Sequence, residues 1–305
     1  MKAVIQSSFE GITALKLRDI LEPHMSAMSV LIKNRYTPVI PWDWLSEEGQ
    51  LQNFNPVKLP RIIGYSFGGI VEKVGALRNQ KLLGKKVFGF NPQGTHTQLI
   101  NSQIPPLLIE VPTKVSLEDA TTIIGGADAA LLAVKQSKIR PNDIVLVTGA
   151  TGGVGSYLIQ LLKLMKTTVI AFTRKENYSF AQNLGADYII DFTQDIKHQL
   201  QLVPKPNKII DTAGSVPLLD TISHNYEKLT IFSLSLPKYK PINSIQTFSF
   251  SNKSIGIKGY QQLLSMLENK QISASINQIL PFQEVIQAQQ IAKFRPSQGR
   301  ILLEY

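Results

Sequence analysis

Cysteine is absent from all 305 residues, which excludes disulfides, thiolate metal ligands and a cysteine nucleophile. Histidine is scarce. The four, at positions 24, 96, 198 and 224, have no His-x-x-x-His or similar spacing, so each reads as an isolated surface or packing residue. No apolar run reaches the roughly 20 residues a membrane span needs. The opening Met1-Lys2-Ala3-Val4-Ile5 starts like a strand and is interrupted before any signal-peptide core develops, so a cytoplasmic protein with no membrane partner is expected. Repeats and low-complexity tracts are missing, which argues against solenoid and linker architectures. Long basic runs are missing too. Only Lys85-Lys86 and Arg174-Lys175 cluster, which is not the pattern of a nucleic-acid arm.

What is present is an ordinary globular composition, 43% hydrophobic and 18% charged, with 32 Lys+Arg against 22 Asp+Glu for a formal +10. That balance favours an anionic partner, whether a phosphorylated cofactor, nucleic acid or a membrane surface, or simply aids solubility. The length suggests two domains, each with its own core.

Before about Ser116 the chain has short apolar runs broken by Gly and Pro: Val30-Leu31-Ile32, Gly68-Gly69-Ile70-Val71, Lys86-Val87-Phe88-Gly89 and Gln98-Leu99-Ile100. These predict a β-rich unit. Ser116-Leu117-Glu118-Asp119 has the spacing of a capping box and predicts a helix start. From Ile144 the texture becomes alternating strand and helix. Strands are expected at 144–148, 168–172, 188–190, 208–211, 229–232 and 248–251, with helices at about 153–166 and 177–184. Six such strands fit a doubly wound, Rossmann-type parallel α/β sheet. After Ile276 a helix led by Pro281 and a final strand at 299–303 are assigned back to the first unit. The expected domains are residues 1–115 with 271–305, and residues 116–270.

The most informative stretch is Thr148-Gly149-Ala150-Thr151-Gly152-Gly153-Val154-Gly155, which follows a buried strand and opens a helix. Glycines there permit a sharp turn and a close backbone approach to a pyrophosphate, and the helix start offers free N–H groups and a positive dipole. A tight turn with no ligand is the plainer alternative. A P-loop is disfavoured, because no Gly-Lys-Ser/Thr follows. Where an NAD site wants an acidic residue, about 20 positions beyond the glycines, this chain has Thr173-Arg174-Lys175. Two cations there could hold a 2′-phosphate, so NADPH is expected over NADH, unless both are merely solvated loop charges.

Gly64-Tyr65-Ser66-Phe67-Gly68-Gly69-Ile70-Val71-Glu72-Lys73-Val74-Gly75, the glycine loop, Leu184-Gly185-Ala186-Asp187-Tyr188-Ile189-Ile190-Asp191 and Asp211-Thr212-Ala213-Gly214 together carry a family likeness. The chain resembles the zinc-independent quinone oxidoreductases of the medium-chain dehydrogenase/reductase superfamily. That resemblance implies a GroES-like first domain, hydride transfer from NADPH to a quinone, enone or other conjugated carbonyl, and a homodimer along the edge of the cofactor-domain sheet. It implies cofactor contacts at Ala150, Gly152, Gly153, Val154, Gly155, Thr173, Arg174, Lys175, Phe192, Ala213, Gly214, Ser233, Leu234 and Arg300. Where the zinc-dependent branch has Gly-His-Glu, this chain has Gly64-Tyr65-Ser66, so neither catalytic nor structural zinc is expected. The hydroxyls of Tyr65 and Tyr36 are the candidate donors to a developing oxyanion, and Asp43 is a candidate that could equally cap a helix.

The departures from the family pattern lie at the reactive end. Ile40 stands where an Asn usually faces cofactor and substrate, and Ile124 and Ala129 replace a Pro and a Thr, with Asp128 adjacent as a functional acid or a surface charge. Phe192 replaces a Tyr that often supports the adenosine phosphate. Two further readings stay open: a 2-alkenal or enoyl reductase of the same fold, and a catalytically silent NADPH-binding redox sensor or RNA-binding protein.

Overall fold

The strand Ile144–Thr148 points alternate side chains to opposite faces. Val145 and Val147 join an apolar cluster with Leu158, Leu162 and Leu263, while Leu146 joins another with Leu219 and Ile222. Covering on both faces is what a parallel sheet requires. The computed structural model describes residues 1–53, 55–103 and 108–305. Its parallel sheet runs in the order Tyr188–Asp191, Thr168–Thr173, Ile144–Thr148, Lys208–Asp211, Thr230–Ser233, Thr247–Phe250, with every neighbouring pair parallel. The chain reverses its direction of growth beside Ile144–Thr148. Between that strand and Lys208–Asp211 lies the topological switch point, the usual ligand crevice of a doubly wound sheet.

The remaining strands are mainly antiparallel. The central one, Val30–Val39, pairs with Ser66–Val74, with Leu99–Ser102 and with the last strand, Arg300–Glu304. The last strand also pairs in parallel with Ile276–Pro281, so the tail returns to the first unit's sheet. Strand 30–39 is longer than its apolar run suggests, because its polar residues are bonded rather than solvated. Asn34 Nδ2 donates to the carbonyls of Thr95 and Thr97, each at 2.9 Å, and Thr37 Oγ1 lies 3.0 Å from His96 Nδ1. His96 is thus a fully buried packing residue. One apolar cluster runs from Tyr36 and Phe88 of the antiparallel sheet through Ile123 to Leu158 under the parallel sheet. The two sheets therefore share a core.

Ser116 does cap a helix, accepting from the Asp119 N–H at 3.0 Å. That helix, Leu117–Thr121, is short. The chain then kinks at Ile124 (ψ 124°) and Gly125 (φ +75°) before resuming as the helix Asp128–Gln136. Among the described residues no helix is long and apolar enough to cross a membrane.

Pro41–Glu47 forms a helix whose first backbone donor, Ile40 N–H, bonds to Asp43 Oδ2 at 2.9 Å. Asp43 and Glu47 stand one turn apart and are both buried. Glu47 Oε1 accepts from Gln289 Nε2 at 2.9 Å, and Arg61 reaches Ser46 Oγ at 2.8 Å beside them. Burial, reinforced by Glu47, pushes Asp43 up to about 8. Burial likewise pushes Glu47 up to about 7 against the Gln289 hydrogen bond. Both folded-state values exceed the unfolded ones, so the fold favours the protonated acids. Their contribution to stability is complete below about pH 4, falls as pH rises, and is lost once pH passes the folded values. Denaturant unfolding should therefore show stability falling between pH 5 and 8, by on the order of 1 kcal/mol per pH unit. Asp43→Asn, which keeps an acceptor for Ile40, should flatten that slope, and an unchanged slope would contradict the assignment.

Candidate functional site

The site begins where the buried strand Ile144–Thr148 turns into the helix Gly155–Leu164. Gly149 adopts φ +63°. A side chain at Gly155 would place its Cβ 2.2 Å from the Gly149 carbonyl oxygen, so only glycine lets the turn close. The helix starts two residues later than its apolar pattern suggests, because Gly153 and Val154 still belong to the turn.

Beneath the strand ends, Asp211 is fully buried and gathers three strands. Its Oδ1 accepts from Thr148 Oγ1 at 2.6 Å and from the Gly214 N–H at 3.1 Å, and its Oδ2 accepts from Ser233 Oγ at 2.7 Å. A buried carboxylate satisfied by several donors holds those strand ends in register.

The other wall comes from the end of the chain. Gly299 N–H donates to the Thr151 carbonyl at 2.8 Å, and Asn177 bridges the two sides, donating to Thr151 Oγ1 at 3.2 Å and to the Ser297 carbonyl at 3.3 Å. Arg300 follows. Its guanidinium donates to the Val39 carbonyl at 3.0 Å and, through its other terminal nitrogen, to the Gly125 carbonyl. It lies flat against Gly153, where a Cβ would sit 2.4 Å from the Arg300 Cζ. Burial lowers the Arg300 value to about 10, while the charges of Asp43 and Asp128 pull it back up, so the guanidinium stays charged at neutral pH.

Between these walls runs a groove of about 470 Å³, a volume suited to a cofactor-sized ligand. Gly152, Gly153 and Val154 line it, with Ala213 at the strand ends and Thr173, Arg174 and Phe192 beyond the second strand. Arg174 lies over the Phe192 ring, 5.6 Å from its centroid. The helix start, the glycine cradle and this cation could hold a phosphorylated dinucleotide.

Of the residues singled out from the sequence, Gly152, Gly153, Val154, Thr173, Arg174, Phe192, Ala213 and Arg300 come together along the groove. Ala150 and Gly155 are buried and shape the turn. Lys175 is exposed and begins a short 3₁₀ turn. Gly214 and Ser233 are tied to Asp211, with Leu234 following. Tyr36 is buried and donates to Glu118 Oε1 at 2.8 Å. Burial first, then that carboxylate, raises it to about 12. Asp43 is spent on its helix cap. Tyr65 remains 38% exposed and stacks on Phe90, ring centroids 5.4 Å apart. Asn177, Trp44, Arg295 and Ser297 also line the groove. They carry no local motif, and only the fold brings them there. Among the described residues no group of three His, Asp or Glu side chains is disposed to share a metal ion.

Comparison with known proteins agrees with this architecture. A family model described as zinc-binding dehydrogenase matches residues 153–273, a stretch that spans the helix and strands after the glycine turn. A chloroplastic quinone-oxidoreductase homolog of Spinacia oleracea is 31% identical over 203 residues, 63% of this chain and 61% of that protein. A chloroplastic NADPH-dependent alkenal/one oxidoreductase of Arabidopsis thaliana is 27% identical over 212 residues, 64% of this chain and 53% of that protein. The chain thus spans only about three fifths, or less, of the length of these relatives. In fold, it superimposes on the quinone oxidoreductase of Coxiella burnetii with a TM-score of 0.84 at 24% identity, covering 100% of this chain and 99% of that one. The Rossmann-type sheet and the GroES-like antiparallel unit give the chain the fold of that quinone oxidoreductase, and its sequence is similar to the two plant oxidoreductases over about three fifths of its length.

Proposed function

We propose that the chain is an NADPH-dependent oxidoreductase that transfers hydride to a quinone or a related conjugated carbonyl without metal. The observation that carries this reading is the glycine turn laid against Arg300 at the switch point, with Arg174 over Phe192 where the adenosine phosphate would lie. The names of the similar plant proteins support the same class. When bound, a reduced nicotinamide supplies the hydride. The chain's own residues orient the reactants: the 149–155 turn and the Arg174 cation for the phosphates, and the Arg300 guanidinium to fix the turn against the opposite wall. A quinone or enone spreads the incoming charge through its own π system. It therefore asks less of the protein than a simple ketone, whose alkoxide needs a Lewis acid or a strong proton donor. Tyr65 is the candidate donor that retains exposure. We take residues 1–115 with 271–305 and residues 116–270 as the two domains. The chain is taken to dimerise through its sheet edge, Thr247–Phe250.

Three outcomes follow. NADPH should bind about tenfold or more tightly than NADH, and the Arg174→Ala, Lys175→Ala double variant should lose that preference in a fluorescence titration. Equal affinities in the wild type would remove the case for the 2′-phosphate. In a screen of NADPH consumption, small benzoquinones and naphthoquinones should outpace saturated ketones. Faster reduction of ketones would overturn the mechanism, and inactivity on quinones, enones and enals despite tight NADPH binding would favour the silent cofactor binder. Sedimentation should give a dimer, and a monomer at all accessible concentrations would contradict the edge-strand pairing.

A further inference from the structure

Outside the residues that line the groove, one carboxylate, that of Asp128, is tied to it through Gly125. Gly125 joins the two places: its carbonyl accepts from Arg300 in the groove, and its N–H donates to Asp128 Oδ1 at 2.8 Å. Ala129 N–H donates to the same oxygen at 2.6 Å, and the Tyr260 hydroxyl reaches Asp128 Oδ2 at 3.3 Å. On the other flank of Gly125 lies Ile40, 3.2 Å from where a Cβ would be, an apolar side chain with no polar group to offer a substrate. Aromatic rings complete the surroundings. Tyr65 stacks on Phe90, and Tyr260 meets Phe88 edge-on at 6.1 Å. Asp128 is only half-buried, so its charge is felt by whatever lies beside it. Its two amide donors fix the carboxylate's position regardless of any ligand.

We propose that Asp128 is a specificity-determining residue, whose fixed carboxylate disfavours substrates carrying an anionic group next to the reacting carbonyl and leaves the cleft to neutral quinones and enones. This rests on the reading of the cleft as a quinone and enone reductase site. The net charge of +10 attracts anions at long range, so a local carboxylate is the feature that can reverse that preference at contact distance. The groups facing Asp128 are Tyr65, Tyr260 of the helix Gly256–Glu268 and, across Gly125, Arg300. Burial raises Asp128 to about 6, with the Ala129 and Gly125 amides and Tyr260 holding it down. Above that pH the carboxylate is charged and the discrimination operates. Below it, the discrimination fades.

The test compares a neutral naphthoquinone with its ring-sulfonated counterpart, reading both NADPH consumption and quinone binding by tryptophan quenching. The wild type should favour the neutral quinone by about tenfold at pH 7.5, and less at pH 5. Asp128→Asn keeps an acceptor for the Gly125 and Ala129 amides and should bring the two quinones within about threefold, while Asp128→Glu should restore the preference. An equal ratio in wild type and Asp128→Asn, with turnover intact, would overturn the role of Asp128 alone. Binding without turnover would sink the reductase reading while the binding ratio still decides this one, and binding of neither quinone would overturn both.

Discussion

The Arg300 guanidinium is the contact on which the arrangement of the site depends. It begins the last strand of the antiparallel sheet, yet it lies against Gly153 in the parallel-sheet unit and donates to carbonyls of Val39 and Gly125 on either side. A buried cation is costly unless partnered, and here two backbone carbonyls and the nearby carboxylate of Asp128 offset that cost. Removing its partners would leave that cost uncompensated, so the Val39 strand end, the 123–127 kink and the glycine turn are held as one unit. Any side chain at position 153 would have to displace that guanidinium.

The two ends of the groove follow different physical rules. At the end proposed for the adenosine phosphate, the groups on offer are electrostatic and local: a glycine cradle, a helix start, and Arg174 over the Phe192 ring. At the end proposed for hydride transfer the polar residues are mostly committed to the protein itself. Tyr36 donates to Glu118, Asp43 caps its own helix and Ile40 packs on Gly125. Such a site suits a substrate that disposes of its own charge, with the protein acting mainly by orientation.

Much of the parallel sheet was legible in the sequence. The strands at 144–148 and 208–211 fall where their aliphatic runs predict, because a strand covered on both faces must be continuously apolar. The antiparallel unit was less legible. Strand 30–39 shows as only three apolar residues, since Asn34 and Thr37 are buried through hydrogen bonds to residues some 60 positions away, which no local pattern encodes. The candidate site divides the same way. Its glycine turn and basic strand end are contiguous motifs. Trp44, Asn177, Arg295 and Ser297 enter the groove only through tertiary pairing, and the kink at Gly125 interrupts what reads as a continuous helix.

Hydrogen exchange on the full-length protein, with and without NADPH, tests the central claim that residues from both units build one dinucleotide groove. The account predicts that NADPH slows exchange in residues 149–155, 173–177 and 295–300 together. Protection confined to one of these segments, or lying elsewhere in the chain, would contradict it.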